Sequence, residues 1–216
     1  MKKKPIELPE SFYEDWFITE VLRVVKSGKE ATVYCCRAHP ATGADLLAAK
    51  VYRPREERGF KNDAVYQEGR VILDKRIRRA FEKKTRKGRE FQFSAWMSHE
   101  FGILTRLHAA GADVPKPYAC DGNALLLEFL GDENGPAPHL ESVALERDEA
   151  EREFERVLRN LEICLTQNVV HGDLSSYNIL YWGGQARVID FPQAVDPRAN
   201  RNAYALFQRD VTNVCD

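Results

Sequence analysis

Asp173, Asn178 and Asp190 are spaced five and twelve positions apart along one stretch of chain. The first two lie in Val170-His171-Gly172-Asp173-Leu174-Ser175-Ser176-Tyr177-Asn178-Ile179-Leu180, and the third closes Val188-Ile189-Asp190. Two carboxylates and an amide in this order suit phosphoryl transfer. One carboxylate orients the attacking hydroxyl or takes its proton, while the amide oxygen and the second carboxylate hold a divalent metal on the phosphates of a nucleotide. Such groups need rigid mounts. Val169 and Val170 before the loop, and Ile179 to Trp182 and Val188-Ile189 after it, read as buried strands, with Gly183-Gly184 as a hairpin turn.

Phosphoryl transfer also requires positive charge on the phosphates and a wall over the nucleotide. Lys50 is isolated in the apolar strand Ala48-Ala49-Lys50-Val51-Tyr52, where it is either an edge lysine reaching for solvent or a phosphate ligand. The second role needs a carboxylate partner. Glu100 is the best placed, because Trp96, Phe101, Leu104 and Leu107 turn its helix inward. Upstream, Lys26-Ser27-Gly28-Lys29-Glu30-Ala31 joins two strands and reads as a hairpin turn or as a loop lying over the phosphates.

The remaining elements follow from periodicity and punctuation. Strands are expected at Glu20 to Val25, Ala31 to Ala38 and Leu46 to Tyr52, forming an antiparallel meander. A charged segment from Arg53 to Glu90 precedes a helix from about Phe91 to Ala110, with Gly111 as its C-cap. Ala119-Cys120 and Ala124 to Leu130 flank the turn Asp121-Gly122-Asn123. Gly131 to His139 is the natural hinge between two lobes, Glu146 to Gln167 an amphipathic helix, and a last helix starts near Arg201. The expected organisation is a polar leader (1–19), an N-lobe (20–130) carrying a basic insertion (53–90), and a hinge with a reduced C-lobe (131–216).

Composition sets outer bounds. A chain of 216 residues, 44% hydrophobic and 30% charged, suffices for two small lobes sharing a cleft. A formal net charge of −1 excludes a globally basic nucleic-acid binder. Five cysteines without C-x-x-C spacing read as reduced thiols, with Cys35 and Cys36 facing opposite sides of one strand. The basic start Met1-Lys2-Lys3-Lys4 leads into no apolar stretch, so no secretory signal or membrane span is expected and a cytoplasmic location is. His39, His99, His108 and His139 show no zinc-ligand spacing, and His171 reads as a loop-shaping residue.

Ser27-Gly28-Lys29-Glu30-Ala31-Thr32-Val33-Tyr34, the Gly131-Asp132…Pro136-Ala137-Pro138 hinge, the His171 to Asn178 loop and Ile189-Asp190-Phe191-Pro192-Gln193 together resemble the RIO family of atypical serine/threonine protein kinases. The likeness runs from about Val21 to the end and is greatest to the subgroup without an N-terminal winged-helix domain. It implies an α+β, bilobal protein-kinase-like fold with a trimmed C-lobe and no conventional activation segment. It implies ATP with Mg²⁺, or Mn²⁺ in its place, as cofactors. Asp173 would be the catalytic base, Asn178 and Asp190 the metal ligands, and Asp190 also the site of a transient aspartyl-phosphate. Lys50 with Glu100 would secure the phosphates, Ser27, Gly28, Lys29 and Glu30 would cover them, and the backbone at Glu128 and Leu130 would meet adenine.

Two departures from ordinary protein kinases stand out. Phe191-Pro192 follows Asp190 in place of Phe-Gly, and only 26 residues come after Asp190. Two rivals therefore stay open. One is a small-molecule phosphotransferase of the aminoglycoside or choline kinase type, which shares the Asp…Asn…Asp pattern. The other is a nucleotide-switched assembly factor for ribosomes or other ribonucleoproteins, with ATPase turnover as its output. Between Arg70 and Arg89 lie ten lysines and arginines against Asp74 and Glu82. This run reads as a solvated helix face or as a lid contacting an RNA backbone or a ribosomal precursor.

Overall fold

The computed structural model describes residues 8–53 and 86–215, with residues 86–96 described by backbone alone. The charged segment from 54 to 85, which includes most of the basic run, lies outside the described residues.

A five-stranded antiparallel sheet forms the N-lobe. Its strands are β1 (Ile18–Ser27), β2 (Ala31–Ala38), β3 (Leu46–Tyr52), β4 (Pro117–Asp121) and β5 (Ala124–Glu128), in the spatial order β1-β2-β3-β5-β4. Alternation along β3 decides the site. Leu47 and Ala49 bury against one face together with Cys36 and Leu126, and the opposite parity sends Ala48, Lys50 and Tyr52 to the other. The adjacent Cys35 and Cys36 divide between the two faces in the same way.

The expected leader is not a polar tail over its described part. Helix α1 (Ser11–Glu14) precedes β1, and Leu8 and Phe12 are buried in the outer core of the sheet. Their apolar side chains cover a face that the meander alone would leave in water.

Helix α2 (Arg86–Ala109) already covers the five residues before the expected start and ends at Gly111, whose φ of +82° suits glycine as the cap. Met97, Ile103, Leu104 and Leu107 join it to a core that continues through Leu161 and Cys164 to Leu174 and Phe191. Helix α3 (Arg147–Thr166) and the hairpin β6 (Ile179–Trp182) and β7 (Gln185–Val188) build most of the C-lobe, and α4 (Ala203–Cys215) completes it.

Polar groups fasten the parts where apolar packing gives no direction. Asn160 accepts the Asp113 N–H at 2.6 Å and donates to its carboxylate at 3.0 Å, tying α3 to the loop after α2. The Asp113 carbonyl accepts the Val188 N–H at 2.8 Å, and buried Glu153 accepts the Ala186 N–H at 2.7 Å. The hinge turns at Gly131, with φ of +140°, where a Cβ would lie 2.4 Å from the Gly135 carbonyl oxygen. No other residue fits there. Among the described residues no helix is long and apolar enough to cross a membrane.

Phe12 is 1% exposed. Replacing it with alanine is expected to lower the unfolding free energy by roughly 3 kcal/mol, within the range for aromatic truncation in a core. Urea denaturation of Phe12→Ala beside the wild type measures this, and an unchanged midpoint would show that α1 is not integral to the sheet.

Candidate active site

Three distant pieces of chain meet at Lys50. Strand β3 directs its side chain into the cleft, where Nζ donates to Glu100 Oε1 of α2 at 3.0 Å and also contacts Asp190 Oδ1, just beyond β7. Tyr52, two positions on and so on the same face, donates its hydroxyl to Glu100 Oε2. The inward lysine expected from the sequence and its expected partner are therefore joined. Two contacts were not foreseen: the bridge from Lys50 to Asp190 and the Tyr52 clamp on Glu100.

Burial and charge oppose each other here. Burial alone would strip Lys50 of its proton, but Asp190 and Glu100 outweigh it and hold the ammonium above its ordinary value. Burial likewise works against the charge on Asp190, and Lys50 overcomes it, keeping this carboxyl below the ordinary range. Tyr52 moves the other way: desolvation and the Glu100 charge keep its phenol protonated. Asp190 has a φ of +71°, an uncommon conformation for a residue with a side chain, and buried Phe191 next to it anchors the turn in the core.

The Asp173 loop is shaped from within. His171 Nδ1 accepts the Asp173 N–H at 3.3 Å, so Nε2 is left to donate to the Ile189 carbonyl at 3.0 Å, and the ring packs on Phe191. That is the structural role expected for this histidine. Asn178 donates its amide nitrogen to the Asp173 carbonyl at 2.8 Å, which commits one end of the side chain and leaves Oδ1 as the metal-competent end. Asp173 itself is exposed; burial is the main influence raising its carboxyl, with Asp190 adding to it and His171 and Arg209 opposing.

The last helix supplies residues that pattern reading passed over. Asp210 is fully buried and accepts the N–H groups of Gly172 at 2.7 Å and Leu174 at 2.9 Å. Arg209 donates to the Gly172 carbonyl, and Asn213 to the Leu174 carbonyl at 2.9 Å. One helix thus holds the backbone on both sides of Asp173. The available signal was an aspartate on the buried face of α4, one turn beyond Leu206.

The nucleotide-covering residues sit as follows. Gly28 closes the β1–β2 loop through its N–H to the Ala31 carbonyl at 2.9 Å, and Lys29 is exposed. Ser27 Oγ accepts from Arg53 at 2.9 Å and lies 3.2 Å from Thr32 Oγ1, while the Glu30 carbonyl accepts the Arg53 N–H. The Glu128 N–H donates to Lys116 O, and the Leu130 carbonyl accepts from Ala137. Among the described residues no group of three His, Cys, Asp or Glu side chains forms a metal site. The donor set of Asn178 and Asp190 still fits magnesium, which takes one or two carboxylates and completes its shell with phosphates and water.

Comparison with known proteins agrees with this geometry. The RIO domain family model matches residues 32–216. The chain belongs to the RIO domain family. It is 31% identical over 192 residues to serine/threonine-protein kinase RIO1 of Caenorhabditis elegans, covering 88% of this chain and 35% of that protein. To the RIO-type serine/threonine-protein kinase Rio1 of Haloferax volcanii it is 34% identical over 193 residues, covering 89% of this chain and 61% of the relative. The chain therefore spans about a third to three-fifths of these relatives. The crystal structure of a Rio2 kinase–ADP/Mg²⁺–phosphoaspartate complex from Chaetomium thermophilum superposes with a TM-score of 0.67 at 18% identity, covering 95% of this chain and 57% of the other. This likeness establishes the bilobal protein-kinase-like fold.

Tyr52→Phe is expected to destabilise the protein by about 1–3 kcal/mol, because it leaves a buried Glu100 oxygen without its donor. Thermal unfolding beside a KM measurement for ATP tests this; no loss in stability would show the Tyr52 contact to be dispensable. A second prediction concerns acid. Asp190 has a lowered folded pKa, so its contribution to stability is present above the unfolded carboxyl value of about 4 and is lost as pH falls through the folded value. The stability gap between wild type and Asp190→Asn should narrow on acidification below pH of about 4. A gap that stayed constant to pH of about 2 would contradict the pairing with Lys50.

Proposed function

We propose that this chain is an ATP- and Mg²⁺-dependent phosphotransferase acting on serine or threonine of protein acceptors or of itself. Its second outlet is ATPase turnover through an aspartyl-phosphate at Asp190. The observation that carries this reading is Lys50 joined to both Glu100 and Asp190, with the Asp173–Asn178 loop held beside them.

Each residue then has a defined task. Lys50, kept charged by its two carboxylates, neutralises the phosphates, and Glu100 with Tyr52 fixes where its ammonium stands. The Glu128 carbonyl and Leu130 N–H orient the base. Asp173 accepts the acceptor's hydroxyl proton as that oxygen bonds the γ-phosphorus and the bond to the β–γ bridging oxygen breaks, releasing ADP. Asn178 and Asp190 would hold a divalent metal, whose charge would neutralise the phosphate oxygens. In the second outlet a carboxylate oxygen of Asp190 bonds the γ-phosphorus as the bond to the β–γ bridging oxygen breaks and ADP leaves; water then hydrolyses the acyl phosphate, restoring the carboxylate and freeing inorganic phosphate. The Rio2 kinase–ADP/Mg²⁺–phosphoaspartate complex from Chaetomium thermophilum supports this branch.

The small-molecule phosphotransferase reading gains no support from the relatives, which are serine/threonine-protein kinases. The assembly-factor reading shares the same chemistry and differs only in which outlet dominates. Contact of the basic run 70–89 with an RNA backbone or a ribosomal precursor rests on its charge alone. A cytoplasmic location is supported by five free cysteines.

The test follows γ-labelled ATP with Mg²⁺ on wild type and Asp173→Asn, tracking free phosphate and label on protein. Wild type should turn over, and Asp173→Asn should be slower by about 10²–10⁴-fold, the usual worth of a positioned base. Label removed by hydroxylamine identifies an acyl phosphate, and resistant label a serine or threonine ester. Tight ATP binding with neither label nor phosphate would sink the proposal.

A further inference from the structure

Asp210 and Asn213 already hold three of the backbone polar groups flanking Asp173: the N–H groups of Gly172 and Leu174 and the Leu174 carbonyl. Arg209 does something they do not. Its Nη2 donates to the Gly172 carbonyl and also lies 3.9 Å from Asp173 Oδ1. Among the described residues this guanidinium is the ion-pair partner of the Asp173 carboxylate. Both side chains are about half exposed, 46% for Arg209 and 57% for Asp173.

A screened pair of this kind adds little to folding stability. Its effect is directional. An exposed carboxylate on a short side chain samples several rotamers, and a fixed cation beside one oxygen favours the rotamer that approaches it. The cation is fixed because its own nitrogen is bonded to the backbone one residue before the base. Carbonyl, guanidinium and carboxylate therefore form a small frame that moves with the loop.

Resting on the phosphotransferase reading above, we infer that Arg209 is a positioning residue for Asp173, setting the direction in which the base faces the acceptor hydroxyl. It touches neither nucleotide nor acceptor in this role and acts only through Asp173.

The full chain is assayed as wild type, Arg209→Met, Arg209→Lys, Asp173→Asn and the Asp173→Asn/Arg209→Met double variant. Turnover of γ-labelled ATP, KM for ATP, affinity for Mg²⁺·ADP and thermal midpoint are measured for each. Arg209→Met should lose kcat by about 10- to 100-fold, the scale of a small misplacement of a reacting group. Its KM and ADP affinity should stay near wild type, while loss of the Gly172 contact should lower the thermal midpoint alike with or without Asp173→Asn. Arg209→Lys, which returns a cation able to reach the same carbonyl, should recover part of the loss. On the Asp173→Asn background the Met substitution should cost nothing further, since the group it positions is gone.

Full activity in Arg209→Met would overturn the inference. So would an undiminished loss on the Asp173→Asn background, or a loss that tracks ADP affinity and thermal midpoint together, because either places Arg209 elsewhere in the machinery. An inactive wild type would overturn the phosphotransferase reading and this inference with it, whereas an active wild type matched by Arg209→Met would overturn the inference alone.

Discussion

The cleft depends on one ammonium group. Lys50 is largely removed from water, its side chain 14% exposed, and a buried charge of this kind persists only with close counter-charges. It has two, from elements that share no local sequence: Glu100 on a helix fifty positions later and Asp190 a further ninety on. Holding these three groups together requires the sheet, α2 and the turn after β7 to adopt one arrangement. Glu100 is itself only 1% exposed, and Tyr52 satisfies its second oxygen. Loss of Glu100 would take one counter-charge from Lys50 and the Tyr52 contact with it.

The second constraint lies beneath Asp173. A catalytic loop is irregular backbone, and irregular backbone near a core must find hydrogen-bond partners outside secondary structure. Here α4 provides them from one face, through Asp210 and Asn213 with Arg209 beside them. Asp210 has its carboxyl raised mainly by burial, while the two amides it accepts pull the other way.

Between the lobes, apolar continuity and polar direction divide the work. The core through Leu104, Leu107, Leu161, Leu174 and Phe191 supplies cohesion without specifying an angle. Asp113 specifies it, since its bonds to Asn160 of α3 and to the Val188 amide of β7 are short and join the loop after α2 to two C-lobe elements. Phosphoryl transfer needs that precision, because its catalysis is mostly positioning and charge placement.

Much of this was legible in the chain. Apolar runs bounded by turn residues set β2 and β3 at Ala31–Ala38 and Leu46–Tyr52, and period two, a property of the extended backbone itself, put Lys50 and Tyr52 on one face. The glycine at 111 and the prolines after it bounded α2 at its end, and apolar spacing along that helix selected Glu100 from among many carboxylates. The Asp173, Asn178 and Asp190 pattern was readable because these groups sit in one contiguous loop and hairpin, where sequence spacing approximates spatial spacing. Other features had no local signature. Leu8 and Phe12 looked like part of a polar leader until the open face of the sheet received them. Tyr52 looked like an ordinary strand aromatic, and Arg209 and Asp210 like charges on a terminal helix. The sequence determined which elements form and which residues were candidates for chemistry. Only the tertiary structure decided which of those residues hold one another, because hydrogen bonds and ion pairs between distant segments depend on distances that the order of residues along a chain does not contain.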